Sequence, residues 1–122
     1  MDDVKARGDE ALFEYTKRFD GASLDGSSIR VTREEIDEAM KQVEPGLLKV
    51  MERSMDNIRR YHEKQRQNSW FDAQPDGTIL GQKVTALESV GVYVPGGKAA
   101  YPSSVLMNII PAEVAGVKRI AM

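Results

Sequence analysis

Val4, Ala11, Leu12, Tyr15 and Phe19 fall at spacings that share one helical face, while Lys5, Arg7, Glu10, Glu14 and Lys17 take the others. A first helix is predicted there, running through Gly8 at a cost of about 1 kcal/mol relative to alanine. Gly21 to Ser28 is polar and reads as a loop, and Ile29-Arg30-Val31 is at most a brief extended piece. Thr32 with Glu35 three residues on is a capping box, so a second helix starts there and carries Ile36, Ala39, Met40 and Val43 on its apolar face. Pro45 suits the first turn of a third helix. Leu48, Met51, Met55, Ile58 and His62 then repeat at threes and fours to about Gln67.

Beyond residue 67 the period changes. Trp70 and Phe71 suggest a loop anchored by aromatic burial, and Asp76-Gly77 is a turn signal. Thr78 to Leu80 and Gln82 to Leu87 read as extended, in a hairpin or meander. Val90 to Val94 is the best strand, apolar at nearly every position as buried parallel strands are. It stops at Pro95-Gly96-Gly97. Ser103-Ser104 then resembles a helix N-cap, the helix runs to Ala115 despite Pro111, and Gly116 ends it. Val117 to Met122 reads as another strand, so residues 90–122 form a strand, helix, strand unit. The expected class is α/β: N-terminal helices in a segment 1–67, then a hairpin or meander and one βαβ unit of an incomplete Rossmann-like parallel sheet in 68–122. The chain opens already within a helical pattern and closes on a strand, so both ends read as cut.

Composition narrows the partners. The 122 residues can bury a core without metal or disulfides, and 41% apolar with 30% charged residues is the balance of a soluble globular protein. Seventeen Lys and Arg against nineteen Asp and Glu leave a net charge of −2, which argues against a nucleic-acid surface. There is no cysteine, hence no disulfide or thiolate metal site. No apolar run approaches the roughly 20 residues of a membrane span, and no signal-peptide layout opens the chain. A cytoplasmic protein that binds neither nucleic acid nor membrane is the expectation.

Candidate chemistry is confined to the end of the Val90 strand. Strand, glycine turn and helix N-terminus expose backbone N–H groups to an anion, and ligands of open α/β sheets bind beyond the carboxyl ends of strands. Neither nucleotide fingerprint is matched, since Gly91, Gly96 and Gly97 make neither G-x-G-x-x-G nor the phosphate loop. An ordinary tight turn remains open at this stage. Tyr93 could stack on a planar ring or pack in a core; Ser103 or Ser104 could meet a ligand or cap the helix; Lys98 could attract phosphate or sit in solvent. His62, the single histidine, falls on an apolar stripe without metal-ligand spacing and reads as packing or a partner contact.

Longer motifs carry a resemblance. Gly91-Val-Tyr-Val-Pro-Gly-Gly97, Tyr101-Pro-Ser-Ser-Val-Leu-Met107 and Ile110-Pro-Ala-Glu-Val-Ala-Gly116 are similar to histidinol dehydrogenase. So is Asp3-Val-Lys-Ala-Arg-Gly-Asp-Glu-Ala-Leu12, with Tyr15 and Phe19-Asp20. The resemblance implies a homodimeric, zinc- and NAD-dependent enzyme of histidine biosynthesis that oxidises L-histidinol through L-histidinal to L-histidine. It implies that Tyr93 contacts NAD and that Pro95, Gly96 and Gly97 shape the same wall. The family's Glu-His acid/base pair and its glutamine, histidine and aspartate zinc ligands lie downstream of this region, so no catalytic or metal residue is assigned. The chain is expected to be an N-terminal fragment, inactive alone and self-associating through an exposed sheet edge. The alternative is a non-catalytic structural or interaction module related by ancestry. The reading frame beyond the Met122 codon separates the two.

Overall fold

The computed structural model describes residues 1–96 and 100–122. The chain divides into two compact units, Met1–Glu44 and Pro45–Met122. That division falls before the long third predicted helix, which groups with the α/β segment; the expected boundary after residue 67 lies inside the second unit.

The first unit holds α1 (Asp2–Arg7), α2 (Asp9–Asp20) and α3 (Arg33–Gln42). The single first helix expected from periodicity is broken at Gly8, whose φ of 60° and ψ of −132° suit glycine alone. Polar bonds hold the two pieces. Arg7 donates from Nε to Asp3 Oδ1 and from Nη2 to Asp3 Oδ2, both at 2.7 Å, and Nη2 also reaches Glu14 at 2.9 Å. The Tyr15 hydroxyl donates to Asp3 Oδ2 at 2.7 Å. Ala11 is buried, whereas Leu12 and Phe19 on the same expected face are exposed. The Gly21–Ser28 loop turns on Asp25, whose Oδ1 accepts from the backbone and hydroxyl of both Ser27 and Ser28. Those four bonds lower its carboxyl to about 2. The capping box opening α3 is present, Glu35 N donating to Thr32 Oγ1 and Thr32 N to Glu35 Oε2.

The Asp3 cluster has a pH signature. Hydrogen bonds from Arg7, then from Tyr15, hold the Asp3 carboxyl well below the ordinary carboxylate range. The same bond to Asp3 raises the Tyr15 phenol. A depressed carboxylate stabilises the fold above its unfolded value of about 3.9 and loses that contribution as pH falls through its folded value. A raised phenol stabilises below about 10 and loses its contribution as pH rises through its own folded value. The α1–α2 clasp is therefore strongest between those limits. Tyr15→Phe is expected to move the Asp3 carboxyl titration, followed by carbon NMR, to higher pH; an unchanged midpoint would show that the hydroxyl does not hold Asp3.

The second unit contains α4 (Pro45–Glu63), β1 (Trp70–Ala73), β2 (Ile79–Gln82), β3 (Ser89–Gly91), α5 (Pro102–Ala115) and β4 (Arg119–Ala121). Pro45 opens α4 as its ring geometry favours. Helix α4 packs on α5, with Met51, Met55, Ile58 and His62 half-buried and Ile110 of α5 fully buried. Arg59 of α4 bridges to Glu113 of α5 at 2.7 Å. His62 lines a small groove with Pro111 and Val114.

Asp76-Gly77 does turn the chain, Asp76 Oδ1 accepting from Thr78 N at 2.9 Å. The strands it joins differ from expectation: β1 pairs antiparallel with β2, and residues 83–87 form no strand. Trp70 and Phe71, expected in a loop anchored by burial, are strand residues with exposed rings. Strands β3 and β4 pair in parallel, Val90 opposite Ile120, with α5 between them in sequence. The architecture is thus α/β, helices followed by a hairpin and one βαβ unit, with two separate two-stranded sheets. Among the described residues no helix is long and apolar enough to cross a membrane.

Candidate functional site

The β3–β4 ladder persists past the last strand residue of β3, because Val92 N donates to Ala121 O at 2.7 Å. The alternation of a strand persists too. Val90, Val92 and Val94 are half-buried, while Gly91, Tyr93 and Pro95 are exposed. Tyr93 therefore projects from the face opposite the valines and is 84% exposed in this chain. It sits just beyond the carboxyl end of β3. A phenol ring so exposed can lie flat against a planar ligand, and its hydroxyl can donate or accept.

Pro95 follows, with its fixed φ and no N–H to continue the ladder. Gly96 is exposed, and a Cβ built there would meet nothing within 4 Å. Gly97 and Lys98, two of the residues singled out from sequence, lie outside the described residues.

The start of α5 differs from expectation. Tyr101 is the N-cap and Pro102 the first helical residue, and no side chain caps the end. Ser103 and Ser104 lie within the first turn. Ser104 N donates to Tyr101 O at 3.0 Å, and Ser104 O accepts from Asn108 Nδ2 at 2.7 Å. Proline's preference for the first helical position outweighs serine's for the cap, and the Tyr101-Pro102 pair was the signal for it. Tyr101, at the start of α5, is exposed as well, and pattern reading passed over it. A groove of about 850 Å³ lies at the other end of the βαβ unit, lined among others by Ser69, Val84, Leu87, Ala112 and Val117. Among the described residues no group of three or more His, Cys, Asp or Glu side chains could hold a metal ion.

The whole chain, residues 1–122, matches the family model described as histidinol dehydrogenase. This chain belongs to the histidinol dehydrogenase family. The histidinol dehydrogenase of Bacillus subtilis (strain 168) is 58% identical over 122 residues, which are 100% of this chain and 28% of that protein. That of Heliobacterium mobile is 56% identical over 122 residues, again 100% of this chain and 29% of the relative. The crystal structure of histidinol dehydrogenase from Elizabethkingia anophelis superposes with a TM-score of 0.84 at 37% identity, covering 98% of this chain and 27% of that one. The chain thus spans less than a third of the length of these relatives.

Proposed function

We propose that this chain supplies one wall of the NAD site of a zinc-dependent, homodimeric histidinol dehydrogenase. The full reaction is the oxidation of L-histidinol through L-histidinal to L-histidine in the cytoplasm, and NAD, when bound, accepts the hydride at each of the two oxidations. What carries the reading is the exposed Tyr93 ring at the carboxyl end of a parallel strand, inside a chain whose whole length matches this family. The β3–α5–β4 unit is the start of a Rossmann-like sheet, and ligands of such sheets bind at strand ends. Tyr93 holds the planar cofactor by its face or hydroxyl. Pro95 fixes the direction of the turn, and Gly96, followed by Gly97, leaves room for close backbone approach.

The zinc of the family finds no ligand set among the described residues, so no step is assigned to it in this chain. Hydride removal also needs a base within hydrogen-bond reach of the alcohol. In this reading the chain's own part is to bind and orient.

Adding NAD to the ¹⁵N-labelled chain is expected to shift the amide signals of residues 91–94 and of Gly96, with the shifts lost in Tyr93→Ala. The same preparation is expected to form no NADH from L-histidinol and NAD. Unmoved signals at millimolar NAD would favour the non-catalytic module, and histidinol-dependent NADH formation would refute the assignment of a partial site.

A further inference from the structure

The connection that leaves Tyr93 ends on another tyrosine. Tyr101 is the N-cap of α5 and is 47% exposed in this chain. Its backbone has a defined task, because its carbonyl oxygen accepts from Ser104 N at 3.0 Å and from Val105 N at 3.4 Å. Its side chain has none of the structural tasks seen elsewhere in the chain. It does not cap the helix. Among the described residues the tyrosine hydroxyl engaged in a hydrogen bond is that of Tyr15, and the paired rings are Tyr15 with Phe19 and Tyr61 with His62. Pro102 disfavours helical backbone at Tyr101, which takes φ −120° and ψ 71° instead, so the ring is carried on a main chain with little freedom.

Topology brings Tyr101 to the same edge of the sheet as Tyr93. Arg119 of β4 lies opposite Ser89 of β3, so the crossover returns the chain from the carboxyl end of β3 to its amino end. The last turn of α5 is fixed at that amino end, since a Cβ on Gly116 would lie 3.5 Å from the Ala86 Cβ. The 14 residues of α5 span about 21 Å. Extended chain from Ser89 to Pro95 covers about 20 Å. A helix of that length, running back alongside the strand, therefore starts level with Tyr93 to Pro95. Two open tyrosine rings then flank one strand end, Tyr93 from the strand and Tyr101 from the helix.

We propose that Tyr101 is a second aromatic contact for NAD, made through the face of its ring. NAD carries two planar rings, adenine and nicotinamide, and the single face of Tyr93 covers one side of one of them. A tyrosine held on the helix side of the same strand end supplies further ring surface at little conformational cost, because its backbone is already fixed. The inference rests on the assignment of Tyr93 to the cofactor wall and extends that wall to the start of α5.

The test places this sequence in the Bacillus subtilis histidinol dehydrogenase, in place of its matching segment, and measures the Kd of NAD and of L-histidinol by calorimetry. Tyr101→Ala is expected to weaken NAD about two- to tenfold and to leave L-histidinol unchanged. Tyr101→Phe keeps the ring face and is expected to bind NAD like the parent. So is Tyr61→Ala, which removes an exposed tyrosine from α4, away from this edge. Parental NAD affinity in Tyr101→Ala beside weakened affinity in Tyr93→Ala would overturn the inference and leave the Tyr93 wall standing. Parental affinity in both variants would remove the wall as well. Equal losses for NAD and L-histidinol in Tyr101→Ala would overturn the inference by showing that the ring supports the fold. A Tyr101→Phe variant as weak as Tyr101→Ala would overturn contact through the ring face.

Discussion

Ile110→Ala is expected to cost the second unit about 2–4 kcal/mol, the range for removing a large buried aliphatic side chain and leaving a cavity. Ile110 is 2% exposed, and the only other fully buried apolar side chain among the described residues is Ala11 of the first unit. The interface of α4 and α5 otherwise consists of half-buried residues. Pro111 follows directly and limits how far the helix can relax into the space left behind. A unit with so small a core has little stability in reserve, so the loss is expected to abolish its cooperative transition rather than displace it. Urea unfolding followed at 222 nm checks this. Ile110→Val, which removes one methyl group, is expected to cost about 1 kcal/mol and keep the transition. Equal stability of Ile110→Ala and the parent chain would mean that α5 is held by something other than this contact.

Features set by neighbours in sequence were legible before the structure. The Thr32–Glu35 capping box, the opening of α4 at Pro45, the Asp76-Gly77 turn and the stop at Gly116 each depend on a few adjacent residues, and all are present. The βαβ unit was legible because a β-branched run, a glycine turn and a helical period follow one another within residues 90–122. Features set by distant partners were not. Apolar spacing continues across Gly8 and gives no sign that the backbone turns there, since the Asp3–Arg7–Glu14–Tyr15 cluster that ties α1 to α2 leaves no mark on periodicity.

The hairpin shows the same limit. Its turn was read correctly, but β-rich composition after the turn suggested partners within residues 78–87, whereas β2 pairs back onto Trp70–Ala73. Trp70 and Phe71 looked like burial anchors because large rings are commonly buried; here their faces are open. At the candidate site, the location of Tyr93 at a strand end could be read from sequence. Its exposure could not, because alternation along a strand does not say which of the two faces is covered.

Tyr93→Ala carries the other large expected effect, and it bears directly on the proposal that this strand end is a cofactor wall. The assay protein is a chimera in which this sequence replaces the matching segment of the Bacillus subtilis histidinol dehydrogenase, to which it is 58% identical over 122 residues. An aromatic contact is worth about 0.5–1.5 kcal/mol beyond simple burial, so deleting the ring should weaken NAD by up to about tenfold. Because Tyr93 is assigned to binding and not to the chemical step, the loss should fall on the KM for NAD and leave kcat nearly unchanged. Tyr93→Phe keeps the ring face and loses only the hydroxyl, so it separates stacking from hydrogen bonding.

The decisive measurement is the KM for NAD of the Tyr93→Ala chimera beside its parent at saturating L-histidinol. The expected result is a KM raised about two- to tenfold with kcat within a factor of about three. A KM for NAD equal to that of the parent would contradict the assignment of Tyr93 to the cofactor wall.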